Sequence, residues 1–181
     1  MKKVVALLAD GFEEVEALTA VDFLRRAGCE VIVAGVTGKT VTGGHDIVVE
    51  ADLPVASCND DYDAVVVPGG MPGASNIAES EEAIRLIRSV GESGGIVAAI
   101  CAAPAVVLAP NGFLDGKRAT CYPGYEDAFE ATTFTEERVV VDGNTITSRG
   151  PGTAAEFAIT VIEKLLGKET AAKIHADTLQ K

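Results

Sequence analysis

Short, wholly apolar runs alternate along this chain with amphipathic stretches, the pattern of an α/β fold. Residues 4–9 are the first apolar run and read as a buried strand. Asp10-Gly11-Phe12-Glu13 follows with capping-box spacing, Asp10 as N-cap and Glu13 reaching back. A helix is predicted from there to about residue 27, stopped by Gly28. Residues 29–36 read as a second strand, so the chain opens with a parallel, right-handed βαβ unit. The Gly/Thr-rich residues 37–46 predict a hairpin, with a short strand at 47–50 leading away from it.

Residues 64–67 are another buried strand, and Pro68-Gly69-Gly70-Met71-Pro72-Gly73 is a loop at its C-terminal end. Ser80 caps a helix over 81–92, with Ala83, Ile84 and Ile87 on its apolar face. Residues 96–100 form a third buried strand, and Cys101 and a helix follow it. Residues 111–117 are a loop, 119–122 a short strand and 125–130 a brief helix. Strands at 139–141 and 145–148 flank the hairpin signal Asp142-Gly143-Asn144. Thr153-Ala154-Ala155-Glu156 is a second capping box, opening a helix to residue 166 that Gly167 stops, and 168–177 is a terminal helix. With no repeat, linker or low-complexity stretch, one domain over 1–181 is expected.

At 181 residues the chain can bury a sizeable core, and a hydrophobic content of 48% fits a globular fold. A formal net charge of −12 argues against a nucleic-acid partner. No apolar run reaches membrane-spanning length, and the run before Asp10 is too short for a signal peptide, so a cytoplasmic protein is expected. The cysteines Cys29, Cys58, Cys101 and Cys121 form no C-x-x-C pair, and the only histidines are His45 and His175. Clustered zinc ligands are missing, so no metal is expected, and the default is four free thiols.

The chemistry concentrates at Cys101. A strand, a cysteine, two small residues and Pro104 resemble a nucleophile elbow with Cys for Ser and Ala for the flanking glycines. At a helix start, the dipole and unpaired N–H groups favour the thiolate. The competing reading is a buried packing cysteine. In an open parallel sheet, ligands bind beyond the carboxyl ends of the strands, so the loops at 10–13, 68–73 and 101–104 are expected to meet. There the N–H groups of Gly69, Gly70 and Ala102 offer an oxyanion hole or carboxylate cradle; an ordinary turn is the alternative for the glycines. No dinucleotide-binding fingerprint is present. Glu16 shares a helical row with the apolar Ala20, Phe23 and Ala27. A carboxyl group on a buried row has a raised pKa and can hold or move a proton for a neighbouring thiolate. Its alternative role is to complement the helix dipole.

Four segments together resemble the ThiJ/PfpI superfamily and, within it, the Parkinson-associated deglycase branch. They are Leu8-Ala9-Asp10-Gly11-Phe12-Glu13-Glu14-Val15-Glu16, Val67-Pro68-Gly69-Gly70, Ala98-Ala99-Ile100-Cys101-Ala102-Ala103-Pro104 and Thr147-Ser148-Arg149-Gly150-Pro151-Gly152-Thr153. The resemblance implies a flavodoxin-like three-layer α/β/α sandwich with a mostly parallel sheet, and a homodimer. It makes Cys101 the reactive, oxidisable cysteine, Glu16 its protonated partner, and Gly70 and Ala102 the residues whose N–H groups face the sulfur or a substrate oxygen. It further implies a glyoxalase or deglycase that needs neither cofactor nor glutathione and takes methylglyoxal or its early adducts, in carbonyl and oxidative stress defence. A redox sensor or chaperone signalling through oxidised Cys101 is the alternative. Where family members often place a His, this chain has Tyr122-Pro123. Tyr122 can donate a hydrogen bond, but a phenol, with a reference pKa of about 10, is a poor base near pH 7, so a Cys–His–acid protease triad is not expected. His45 stands where the branch often has an Arg crossing the dimer interface and is a second accessory candidate. Arg149 is expected to brace the loop before the final long helix.

Overall fold

The computed structural model describes all 181 residues. The opening βαβ unit is β1 (Lys3–Leu8), α1 (Glu14–Arg26) and β2 (Glu30–Gly35). The hairpin β3 (Thr40–Thr42) and β4 (Val48–Glu50) follows, and then β5 (Leu53–Pro54). Next come β6 (Ala64–Val67), α2 (Gly73–Glu79), α3 (Glu81–Glu92) and β7 (Ile96–Ile100). Beyond Cys101 the chain makes a π-helical segment, Pro104–Leu108. The last part holds β8 (Arg118–Ala119), β9 (Thr133–Phe134), β10 (Val139–Asp142), β11 (Thr145–Ser148), α4 (Ala154–Leu166) and α5 (Lys168–Asp177).

Seven strands form the central sheet in the order β10-β11-β7-β6-β1-β2-β5, parallel except for β10. β6 and β7 contain only Ala, Val and Ile and are buried along their whole length, as parallel strands covered on both faces must be. One group of helices, α1, α4 and α5, packs together, and α2, α3 and the Pro104–Leu108 segment form a second group. With the sheet between them this is the expected α/β/α arrangement, around one cluster of 54 buried hydrophobic residues. From β1 the chain winds outward to β2, whereas from β6 it winds the other way to β7. The crevice at the carboxyl ends of β1 and β6 is therefore the topological switch point, where ligands bind in such sheets.

α3 follows its sequence pattern closely: Ala83, Leu86, Ile87 and Val90 are buried, and Ser80 Oγ accepts from the Ala83 N–H at 3.2 Å. Ser80→Ala is expected to cost about 1 kcal/mol, measurable as a lower urea midpoint at unchanged slope. The two predicted capping boxes do not form. Asp10 Oδ1 accepts from the Thr42 N–H at 2.8 Å, tying β3 to the loop after β1, and Glu13 is the N-cap of α1 without a side-chain bond to it. Thr153 begins α4, but its Oγ accepts from the Gly150 N–H at 3.1 Å and donates to the Gly150 carbonyl at 2.9 Å. Glu156 pairs instead with Arg138 at 2.7 Å. In each case a partner outside the helix outcompetes its first turn.

The predicted strand at 119–122 shrinks to β8, because the Thr120 N–H goes to Thr147 Oγ and the Tyr122 N–H to the Cys101 carbonyl. Only a 3₁₀ turn, Glu126–Ala128, stands where a helix at 125–130 is predicted. α2 begins at Gly73, the last residue of the predicted loop, and runs through residues the pattern left unassigned, and β5 and β9 are two-residue strands below the reach of periodicity.

Candidate active site

Cys101 sits between β7 and the π-helical segment with φ at 65°, a left-handed backbone that non-glycine residues rarely adopt. Such a conformation costs roughly 1–3 kcal/mol and persists only where surrounding bonds hold it. Here the Cys101 N–H donates to the Ser148 carbonyl at 3.0 Å, and its own carbonyl accepts from the Tyr122 N–H at 2.8 Å. The expected elbow is present, and it lifts the thiol out of the sheet toward the loops after β1 and β6.

Those loops fit closely around it. A Cβ on Gly69 would lie 2.5 Å from the Cβ of Cys101 and 3.0 Å from its Sγ, so no larger residue fits there. Gly70 has φ at 85°, and a Cβ on it would lie 2.4 Å from the Glu13 nitrogen. The N–H groups of Gly70 and Ala102 lie near enough to the Cys101 sulfur to pull its pKa down. Gly69 differs from expectation: its N–H donates to Glu16 Oε2 at 2.9 Å and is not free for a substrate oxygen. The sequence places three N–H donors in one crevice; the fold gives one to the acid and two to the nucleophile.

Glu16 is fully buried, and its second oxygen, Oε1, has no hydrogen-bond partner. Burial pushes its pKa up from the ordinary 4.5 to about 7, against the lowering effect of the Gly69 N–H and of Cys101. Burial, and then the charge of Glu16, push the Cys101 thiol up to about 12, while the Gly70 and Ala102 N–H groups pull it down. Desolvation at the sulfur thus opposes the thiolate that a helix start favours, and it outweighs the N–H groups at the turn. Acid and thiol form one unit in which a proton leaving sulfur has Glu16 as its acceptor.

The raised pKa of Glu16 has a stability signature. Between pH 4.5 and about 7 the folded state holds a proton that the unfolded chain has released, so stability falls as pH rises through this window and is flat above it. The gap corresponds to about 3 kcal/mol. Urea unfolding at pH 5 and pH 7.5 is expected to show this loss in the wild type, and Glu16→Gln is expected to lack it.

Glu14, which the sequence did not single out, is also buried. Burial works to raise its pKa, but the His45 side chain and backbone outweigh it, and the carboxylate stays below its ordinary range. Glu14 Oε1 accepts from the His45 N–H at 2.7 Å and Oε2 meets Nδ1 at 2.8 Å. Glu13 Oε2 lies 3.7 Å from the same Nδ1. The hydrogen bond to Glu14 and the charge of Glu13 raise the His45 pKa. Within one chain, then, His45 binds the first turn of α1 and is not brought to Cys101. Glu13, Glu14 and His45 carry three potential metal-ligand atoms within 4.8 Å of one another, yet their geometry is already satisfied as an ion pair. The signal that could have exposed Glu14 is Gly43: a Cβ there would lie 2.2 Å from the Glu14 carboxylate, so a larger residue would press on it.

Tyr122 borders Cys101 through its backbone and rests its ring on Gly150. The Arg149 guanidinium lies 5.9 Å above the Phe134 ring, in keeping with a bracing role. Cys29, Cys58 and Cys121 are buried free thiols whose pKa values burial raises, as packing residues.

This fold and elbow define an α/β protein with a nucleophile-elbow cysteine and a buried acid at the switch point of its sheet. The chain belongs to the DJ-1/PfpI family, whose profile matches residues 2–164. It is 40% identical over 186 residues to the "Parkinson disease protein 7 homolog" of Danio rerio, covering 99% of this chain and 98% of that one. It is 34% identical over 168 residues to the "Glutathione-independent glyoxalase DJR-1.2" of Caenorhabditis elegans, covering 91% of this chain and 89% of that one. With "Protein DJ-1 homolog B" of Arabidopsis thaliana it shares 38% identity over 179 residues, which is 98% of this chain but 41% of that longer protein. Among solved structures, "Toxoplasma gondii DJ-1, oxidized" superposes with a TM-score of 0.96 at 41% identity, covering 99% of this chain and 98% of that one. No helix is long and apolar enough to cross a membrane.

Proposed function

We propose that this protein is a cysteine-dependent, glutathione-independent glyoxalase that converts methylglyoxal to lactate and acts on early methylglyoxal adducts. The observation that carries this reading is the fully buried Glu16 beside Cys101, its Oε2 held by the Gly69 N–H and its Oε1 free to take the thiol proton. The Caenorhabditis elegans relative, named a glutathione-independent glyoxalase, supports it. So does the cluster of Glu13, Glu14 and Glu16 near the site, which favours an uncharged dicarbonyl over a phosphorylated substrate.

The chemistry is redox-neutral. Glu16 takes the thiol proton as sulfur adds to the aldehyde carbon, and the new oxyanion is held by the Gly70 and Ala102 N–H groups until Glu16 returns the proton. Glu16 then removes the proton from that carbon, giving an enediol, and returns it to the neighbouring ketone carbon, while the hydroxyl proton of the hemithioacetal passes to the ketone oxygen. The aldehyde carbon is oxidised to a thioester as the ketone carbon is reduced to an alcohol. Water cleaves the thioester, releasing lactate and the thiol.

The test is lactate formation from methylglyoxal by the purified, reduced protein without glutathione. Turnover is expected; its absence in folded protein with a titratable Cys101 would overturn the glyoxalase reading. The oxidised state named for the Toxoplasma gondii structure favours a second reading, in which peroxide converts Cys101 to a sulfinate bonded by the same donors and by Glu16. The proposed homodimer is supported by exposed apolar side chains, Val15 and Leu18 on α1 and Ile47 and Val48 on the hairpin that His45 ties to α1.

A further inference from the structure

We propose that Tyr122 is the specificity wall of the Cys101 site and that its preferred substrates are 2-oxoaldehydes, R–CO–CHO, whose R group is aromatic. The proposal rests on the glyoxalase reading and adds the class of R group.

Three backbone segments meet beside the nucleophile. The Tyr122 N–H is bonded to the Cys101 carbonyl at 2.8 Å, and the Cys101 N–H to the Ser148 carbonyl at 3.0 Å, two residues before Gly150. The Tyr122 ring lies on Gly150: a Cβ there would be 3.1 Å from ring Cδ2 and 3.4 Å from Cε2. Gly150 is extended, with φ at 166°, so its lack of a side chain serves the ring and not the backbone. Tyr125 meets Tyr122 edge-on, with centroids 6.5 Å apart and planes at 74°, and the turn between them is closed by the Tyr125 N–H on the Tyr122 carbonyl at 3.3 Å.

The ring is thus seated on one side and edged on another, yet Tyr122 remains 44% exposed. An ordered aromatic surface on the residue whose N–H holds the Cys101 carbonyl, left exposed, offers a planar apolar substituent a face to lie on. Methylglyoxal presents only a methyl there, whereas phenylglyoxal presents a ring. An aromatic contact of this kind changes an equilibrium constant by roughly 2- to 10-fold. The reaction balances as for methylglyoxal: phenylglyoxal and water give mandelate, the aldehyde carbon being oxidised as the ketone carbon is reduced, with no external electron carrier.

The experiment measures kcat/KM for phenylglyoxal and for methylglyoxal in the wild type, Tyr122→Phe and Tyr122→Ala. The ratio is expected to favour phenylglyoxal in the wild type, to survive in Tyr122→Phe and to fall by roughly 2- to 10-fold in Tyr122→Ala. An unchanged ratio in Tyr122→Ala, with both substrates turned over, overturns the proposal. If Tyr122→Ala does not fold, Tyr122→Leu keeps apolar bulk, removes the aromatic face and is held to the same criterion. If the wild type turns over neither substrate, the glyoxalase reading fails and the wall is judged by binding alone. Mandelate is then expected to protect Cys101 from iodoacetamide at lower concentration than lactate does, and to lose that advantage in Tyr122→Ala. Equal protection by the two acids overturns the proposal.

Discussion

Cys101→Ser is expected to reduce lactate formation from methylglyoxal to the uncatalysed background while leaving the circular dichroism spectrum unchanged. The two side chains are nearly the same size, and the backbone bonds that hold the elbow, to Ser148 and Tyr122, do not involve the sulfur. The chemistry is not preserved. Glu16 is placed to take the proton as a thiol adds to an aldehyde, but a hydroxyl in the same surroundings is a far weaker acid than a thiol. Hydrolysis also needs a thioester, which water cleaves more readily than the corresponding ester. Lactate formation that survives in Cys101→Ser would move the chemistry to another group and sink the mechanism.

Glu16→Gln is expected to lower kcat/KM by about 10²–10⁴-fold, the usual worth of a positioned acid–base group. The amide fills the same space and its oxygen can still accept from the Gly69 N–H, so the site keeps its shape. What it lacks is the ability to take the thiol proton and carry it between adjacent carbons. Two further readouts separate this loss from a packing defect. Wild-type kcat/KM is expected to rise with pH through about 7, as Glu16 loses its proton and becomes a base, and this rise should vanish in the variant. Alkylation of Cys101 by iodoacetamide at pH 7 should persist or quicken, because a negative charge that disfavours the thiolate has been removed. A variant that keeps both turnover and the pH slope would show that Glu16 only packs against the elbow.

Much of the site is legible in the sequence because the features that mark it are local. The run Ile96–Ile100 is uniformly apolar and is followed by Cys101, two alanines and Pro104; these residue types at that spacing specify a strand, a sharp turn and a helical start. Glu16 is exposed as a buried acid by the row of Ala20, Phe23 and Ala27, since helical periodicity tells which face a residue joins. The meeting of three loops follows from parallel strands and topology. The switch from α-helical to π-helical turns over Pro104–Leu108 carries no comparable signal.

The division follows from range. By itself the sequence determined the βαβ opening, the buried strands, the elbow and the identity of the thiol and the acid, because each depends on residues a few positions apart. Only the tertiary structure decided how their polar atoms are shared. The Gly69 N–H goes to Glu16 across 53 residues, and His45 closes on Glu14 across 31. Asp10 leaves its predicted cap to bind Thr42, and the Tyr122 ring settles on Gly150. The balance of forces on the Cys101 proton is set in the same way. A helix start alone favours the thiolate, but the loops after β1 and β6 exclude water from the sulfur, and the cost of desolvating a charge depends on everything that surrounds it.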